Sequence, residues 1–158
     1  MRNKKAKKRL LLPDPVFTSR LVTRVINRVM KDGKKTIAIA QVYKALKLVE
    51  EKTKKEGVEV LRLALENIKP VMEVRSRRVG GAAYQIPMPV KGDRREALSI
   101  RWLIFAAKAK PNKDFHTFAD KLAVEIIDAS QGAGEAIRRK EQTHKMAEAN
   151  KAFAHFRW

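Results

Sequence analysis

Apolar and polar positions recur along this chain with two different periods, and the change between them outlines the architecture. Over residues 16–31, Leu21, Val22, Val25, Ile26, Val29 and Met30 gather on one broad face at helical spacing. Asp32-Gly33 ends that helix, with Gly33 suited to the left-handed position after a C-terminus. A second helix is expected over about 35–54, up to Gly57. A third covers about 58–69 and stops before Pro70, with Val60, Leu61, Ala64, Leu65 and Ile68 turned inward. The period then drops to two. Met72, Val74 and Ser76 alternate with Glu73, Arg75 and Arg77; beyond Gly80-Gly81, Tyr84, Ile86, Met88 and Val90 alternate with Gln85, Pro87 and Pro89. Two such runs around Gly-Gly predict a β-hairpin over about 72–91. Pro87 and Pro89 share one alternate set, which a two-stranded ribbon can turn outward and a central strand cannot.

Helical spacing returns at about 94–109, where Asp93 and Glu96 suggest a capping box. Leu98, Ile100, Trp102, Leu103, Ile104 and Phe105 make that helix apolar nearly all round, so it reads as a central core helix. One narrow basic edge, Arg94, Arg101 and Lys108, interrupts it. Residues 110–114 form a loop. A fifth helix, about 115–130, turns Leu122, Ala123, Ile126 and Ile127 inward, and Gly132 and Gly134 separate it from a last helix at about 135–150. The tail beyond holds Phe153, His155, Phe156, Arg157 and Trp158. The sum is a mainly α, single-domain bundle of about six helices with a protruding β-hairpin. A basic arm (1–12) precedes the domain (13–158), in which Pro13 and Pro15 first hold the chain extended.

Composition adds the partner. Thirty-six Lys and Arg stand against 17 Asp and Glu, a net charge of +19. A surface this positive calls for a polyanion, either nucleic acid or anionic membrane. No apolar stretch is long enough to span a bilayer and no secretory leader is recognisable, which leaves membrane the weaker option. With no cysteine there are no disulfides or thiolate metal sites, and the cytosol is the default compartment.

The charge is also unevenly placed. Residues 1–35 hold 12 cations and 2 acids, 69–110 hold 10 and 3, and 138–158 hold 6 and 2. Between them, 46–68 balance at 5 and 5, and 111–137 lean acidic at 2 and 5. That separation reads as one charged face on a folded body. In the arm, Arg2, Lys4, Lys7, Lys8 and Arg9 have almost nothing apolar beside them and should order only on a polyanion. Arg20, Arg24 and Arg28 recur every fourth residue on the first helix with no acidic partner in it, which costs repulsion unless something outside neutralises them. Arg75, Arg77 and Arg78 decorate one arm of the hairpin. Its tip, Gly80 and Gly81, is small enough for close backbone approach, and Tyr84 and Gln85 flank it.

Catalytic constellations are missing: there is no Gly-rich phosphate loop, no HExxH, and no nucleophile elbow around Ser19, Ser76, Ser99 or Ser130. His116, His144 and His155 fall at no zinc-ligand spacing. The reading is therefore no enzyme and no cofactor. A DNA-binding regulator or nucleoid protein is the alternative, because the first two helices could imitate a helix-turn-helix. The second helix, however, lacks the Asn, Gln and Arg cluster of a base-reading helix. A basic hairpin and tail aromatics suit RNA better.

Four runs narrow this further: VINRVMKDGKKTIA at 25–38, GGAAYQIPMPV at 80–90, RREALSIRWL at 94–103 and THKMAEANKAFAHFRW at 143–158. In this order, over essentially the whole chain, they resemble the bacterial small-subunit ribosomal protein seven family. The resemblance implies a helical bundle with an extended hairpin that binds the 3′ major domain of small-subunit ribosomal RNA early and lets other head proteins join. It implies a place near the exit-site transfer RNA and the messenger path, beside neighbouring head and platform proteins, with the protein monomeric when free. The RNA-facing positions it implies are Lys8, Arg9, Lys34, Lys35, Arg75, Arg77, Arg78, Arg94, Arg95, Arg101, Thr143 and His144. For Met146, core packing and RNA contact are both open, and Trp102 reads as core.

Overall fold

The computed structural model describes residues 10–156. The expectations for Arg2, Lys4, Lys7, Lys8 and Arg9, and for Arg157 and Trp158, lie outside the described residues. Six α-helices and one antiparallel hairpin follow in the expected order: α1 (Arg20–Val29), α2 (Lys35–Thr53), α3 (Gly57–Ile68), β1 (Met72–Val79), β2 (Ala82–Pro89), α4 (Gly92–Ala109), α5 (Phe118–Ser130) and α6 (Glu135–Ala149). A 3₁₀ helix, Lys151–Phe156, closes the described chain.

Both α4 and α5 lie at the centre. Helix α5 packs on α2, α3 and α4, while α4 also meets α1 and α6. Val25, Ile26, Leu46, Leu61, Leu65, Leu103, Leu122 and Ile126 form the heart of one continuous core, each withdrawn from water almost completely. Burial of that extent contributes about 1.5–3 kcal/mol per large side chain.

Helix α1 starts later than its apolar face predicts, because Asp14 organises the chain first. Its buried carboxylate accepts the N–H groups of Val16 and Phe17 at 3.2 and 3.1 Å and the Tyr43 hydroxyl at 2.8 Å. This Asx-type turn pins residues 14–17 to α2 and competes with helix. Burial, and then the Asp14 hydrogen bond, hold the Tyr43 hydroxyl above its ordinary pKa. Helix α1 also ends early. Met30 leaves it in an extended conformation, so Asp32 and Gly33, both with positive φ, make a turn rather than a helix cap.

The expected capping box at Asp93 and Glu96 does not form. The N-cap of α4 is Lys91, which makes no side-chain cap hydrogen bond, and Glu96 is used elsewhere. The box belongs to α5, where Thr117 and Asp120 bond reciprocally. The two hydrogen bonds from Thr117 outweigh burial and hold the Asp120 carboxyl below its ordinary pKa.

A polar cluster that spacing alone did not announce binds the C-terminal half of α5 to the end of α4 and the start of α6. Glu125 is fully buried. Its Oε1 accepts the Ala136 N–H at 2.9 Å and its Oε2 lies 3.0 Å from Lys110 Nζ, which also reaches Asp128 at 3.1 Å. Burial alone would lower the Lys110 pKa, but its bonds to Glu125 and Asp128 win and raise it. Gly134 makes room for this arrangement: its φ is +95°, and a Cβ there would stand 2.9 Å from Glu125 Oε1.

In the hairpin, Val79 faces Ala82 across a two-residue loop in which Gly80 and Gly81 have φ of +57° and +90°. Those signs are the ones the mirror-image hairpin turns require. The Val90 N–H bonds to the Val71 carbonyl at 3.0 Å, so even-numbered residues of β2 turn their N–H toward β1. Pro87 and Pro89 therefore turn their ring nitrogens outward, as expected. The register was not foreseen: Arg75 faces Ile86, Arg77 faces Tyr84 and Glu73 faces Met88. The charged set of one strand thus shares a face with the apolar set of the other, a pairing that long arginine stems suit because they are themselves apolar.

Candidate nucleic-acid interface

A groove of about 600 Å³ runs between α1 and α4, lined by Leu11, Arg24, Asn27, Arg28, Asp93, Ala97, Ile100 and Arg101. The arginine row of α1 forms one wall and the basic edge of α4 the other. For Arg24 the neutralising group outside the helix is an acid of the protein itself: Glu96 of α4 pairs with it across the groove. That bond ties the two walls together, while Arg28 and Arg101 stay exposed. Arg20 continues the row one turn earlier. Both α1 and α2 open on a cation, Arg20 and Lys35, with no acid in the first turn of either. Positive charge at a helix N-terminus opposes the helix dipole. The cost is larger with Lys34 adjoining, and an anionic partner would offset it.

Next to the groove, one buried carboxylate joins the hairpin to the bundle. Glu73 lies 2.6 Å from Arg75 Nη2 and 2.7 Å from Arg94 Nε, and both guanidiniums remain about half exposed, at 50 % and 49 %. Two cations on one acid leave a net positive charge facing out. Arg95 Nε donates to the Pro70 carbonyl at 3.0 Å and fixes α4 against the entry to β1. Farther along the ribbon Arg77 and Arg78 are exposed, as are Gly80, Gly81 and Gln85. Lys34, Lys35 and Lys108 are likewise exposed.

Tyr84, expected beside the tip, instead packs its ring at 5.4 Å from both Phe153 and Phe156 of the closing 3₁₀ helix. Thr143 and His144 also have partners inside the protein. The Thr143 hydroxyl donates to the Arg139 carbonyl at 2.9 Å, and His144 Nε2 accepts the Val71 N–H at 3.0 Å. Met146 is exposed, and Trp102 packs against the core while partly covered. The basic surface therefore follows α1, the edge of α4 and β1, with α6 tied to the base of the hairpin. Glu96 and Glu73 organise that surface: the partner of Glu96 lies 72 residues away on another helix, and Glu73 pairs both with Arg75 of its own strand and with Arg94 of α4. For Glu73 a signal existed: it is the one acid in an arginine-rich strand.

The His144 contact carries a pH dependence. Burial, and then repulsion from Lys140, lower its pKa below the ordinary 6.5, and Glu148 and Lys151 line the same cleft. Only the neutral ring accepts the Val71 N–H. Since the folded state holds this proton less tightly than the unfolded chain, the contribution is complete above pH 6.5 and is lost as pH falls through the lower folded value. Thermal unfolding between about pH 7.5 and 5 should show a steeper acid decline for the wild type than for His144→Gln. Parallel curves would remove His144 from this role.

Among the described residues no group of three or more acids and histidines could hold a metal ion, and no helix is long and apolar enough to cross a membrane. Residues 1–151 match the family model for ribosomal protein S7p/S5e. The chain belongs to that family. It is 56 % identical over 158 residues to the small ribosomal subunit protein uS7 of Thermotoga maritima, covering all of both chains. Its identity to the protein of that name from Bifidobacterium longum subsp. infantis is 55 % over 153 residues, 97 % of this chain and 96 % of the other. For Nautilia profundicola the figure is 51 % over 158 residues, again all of both. Membership makes the chain a structural component of the small ribosomal subunit and not an enzyme, and it leaves the DNA-regulator alternative without support.

Proposed function

We propose that this chain is a primary RNA-binding protein of the small subunit that binds the 3′ major domain of its ribosomal RNA and nucleates assembly of the head. It works in the cytoplasm as part of the ribosome, is a monomer when free, and meets neighbouring head and platform proteins. Its hairpin lies toward the exit-site transfer RNA and the messenger path. The observation that carries this reading is the arginine-lined groove between α1 and α4, adjoined by the Arg94–Glu73–Arg75 knot at the root of a basic ribbon. Phosphates fit a row of fixed, outward-facing guanidiniums, and the shape of a folded RNA selects where they are met.

The hairpin is the part to test by excision. Replacing residues 77–85 with a short Gly-containing turn removes Arg77, Arg78, the tip and Tyr84, yet spares the Glu73 knot and the buried Ile86. The variant is expected to remain helical and monomeric and to bind its ribosomal RNA fragment, though more weakly. Subunits built with it should assemble but handle exit-site transfer RNA or reading frame poorly. General loss of helix by circular dichroism would instead place the ribbon within the fold.

A further inference from the structure

Phe105 reads as a core residue from its place in α4, but half of it, 51 %, is exposed. It stands on the outer edge of the helix, one turn after Arg101 and one turn before Lys108, both of which are exposed. One face of the ring is covered. The Arg139 guanidinium of α6 lies over it, 3.8 Å from the centroid. Arg139 Nε is buried and has no hydrogen-bond partner among the described residues, so the stack on Phe105 is the contact shown for this guanidinium. An aromatic ring clamped by a cation behind it, open in front, and flanked along its helix by two further cations is poorly suited to water. It is equally poorly suited to an apolar protein surface, which would have to desolvate both flanking charges.

We infer that the open face of Phe105 is a stacking platform for an unpaired base of RNA, with Arg101 and Lys108 taking the phosphates on either side of that nucleotide. The inference rests on the RNA-binding reading above and extends it. Phosphate contacts position a chain, whereas a base laid on an aromatic ring demands an unstacked nucleotide at that point. Arg139 is a positioning residue here: its stack fixes the tilt of the ring before RNA arrives. The platform would therefore favour a bulge or loop over a continuous duplex.

The test uses the full chain with a folded small-subunit ribosomal RNA fragment, comparing Phe105→Ala, Phe105→Leu and Phe105→Tyr with the wild type. Loss of one stacked base corresponds to roughly 5- to 150-fold weaker binding, about 1–3 kcal/mol. Phe105→Ala and Phe105→Leu should both lose affinity in that range, and Phe105→Tyr should keep it. Melting temperatures should fall by no more than a few degrees, because the ring is half exposed and gives up only its covered half and the Arg139 stack. The dependence of affinity on salt should be unchanged in Phe105→Ala and shallower by about one ion in Arg101→Ala. Chemical probing should find an unpaired base that the wild type protects and Phe105→Ala leaves reactive. Full binding by Phe105→Leu would overturn the platform, since a leucine cannot stack. So would wild-type RNA affinity in Phe105→Ala, and if that variant then entered subunits poorly, the ring would be meeting a protein. Failure of the wild type itself to bind the fragment would overturn the RNA-binding reading, and would be seen before any variant is compared.

Discussion

Binding of the ribosomal RNA fragment is expected to weaken about 10³- to 10⁵-fold between roughly 50 and 200 mM salt. The magnitude follows from the number of cations that face outward. Arg20, Arg28, Lys34, Lys35, Arg78, Arg101 and Lys108 are exposed, and Arg75 and Arg94 are half exposed around one shared acid. If about 6–10 of these each displace a condensed counterion from a phosphate, the logarithm of affinity falls steeply and linearly with the logarithm of salt concentration. Titrations at several salt concentrations measure that slope directly. An isotherm that hardly moves would leave the groove without its polyphosphate partner, and duplex DNA competing as well as the RNA fragment would point to charge without shape recognition.

The second large effect separates fold from binding. Leu103→Ala removes a fully buried side chain at the centre of the bundle and should destabilise it by about 2–5 kcal/mol, lowering the melting temperature by roughly 5–15 °C. Deletion of residues 2–9 should do the opposite: weaker RNA binding at a nearly unchanged melting temperature. That segment holds six cations and one small apolar residue, so its contribution should appear only in the complex. Calorimetry and RNA titration of the two variants together give the comparison. A deletion that melts as early as Leu103→Ala would mean that the arm belongs to the core.

Local pattern was enough for much of this molecule. The change from helical to strand period, the Gly80-Gly81 turn and the outward prolines are written in short stretches of sequence and were read correctly. The same is true of the basic edge of α4, which the structure leaves exposed between its buried faces. What local pattern could not supply was cross-element geometry. Arg24 looked unpaired because its acid, Glu96, lies on another helix 72 residues away. Phe105 looked buried because α4 is apolar on almost every side, and only packing shows which side faces out. Glu125 shares its helix face with Leu122, Ile126 and Ala129, so its burial was legible in principle. Its partner Lys110 sits across a loop, and spacing alone does not pair them. The hairpin register is a similar case: alternation defined two faces on each strand without showing that Arg75 would meet Ile86.

The clasp of Phe153 and Phe156 on Tyr84 sets an order of events while the chain is being made. The second strand is complete at Pro89, and the segment that clasps it follows roughly sixty residues later. At about 5–20 residues per second, the ribbon exists for some 3–12 seconds without that anchor while α4, α5 and α6 are synthesised. A lone two-stranded ribbon is marginally stable in water. For that interval the nascent protein carries Arg77 and Arg78 on an arm held at its root by the Glu73 knot and loose toward its tip, and an RNA that arrives early meets a pliant ribbon end where a later one meets a braced one.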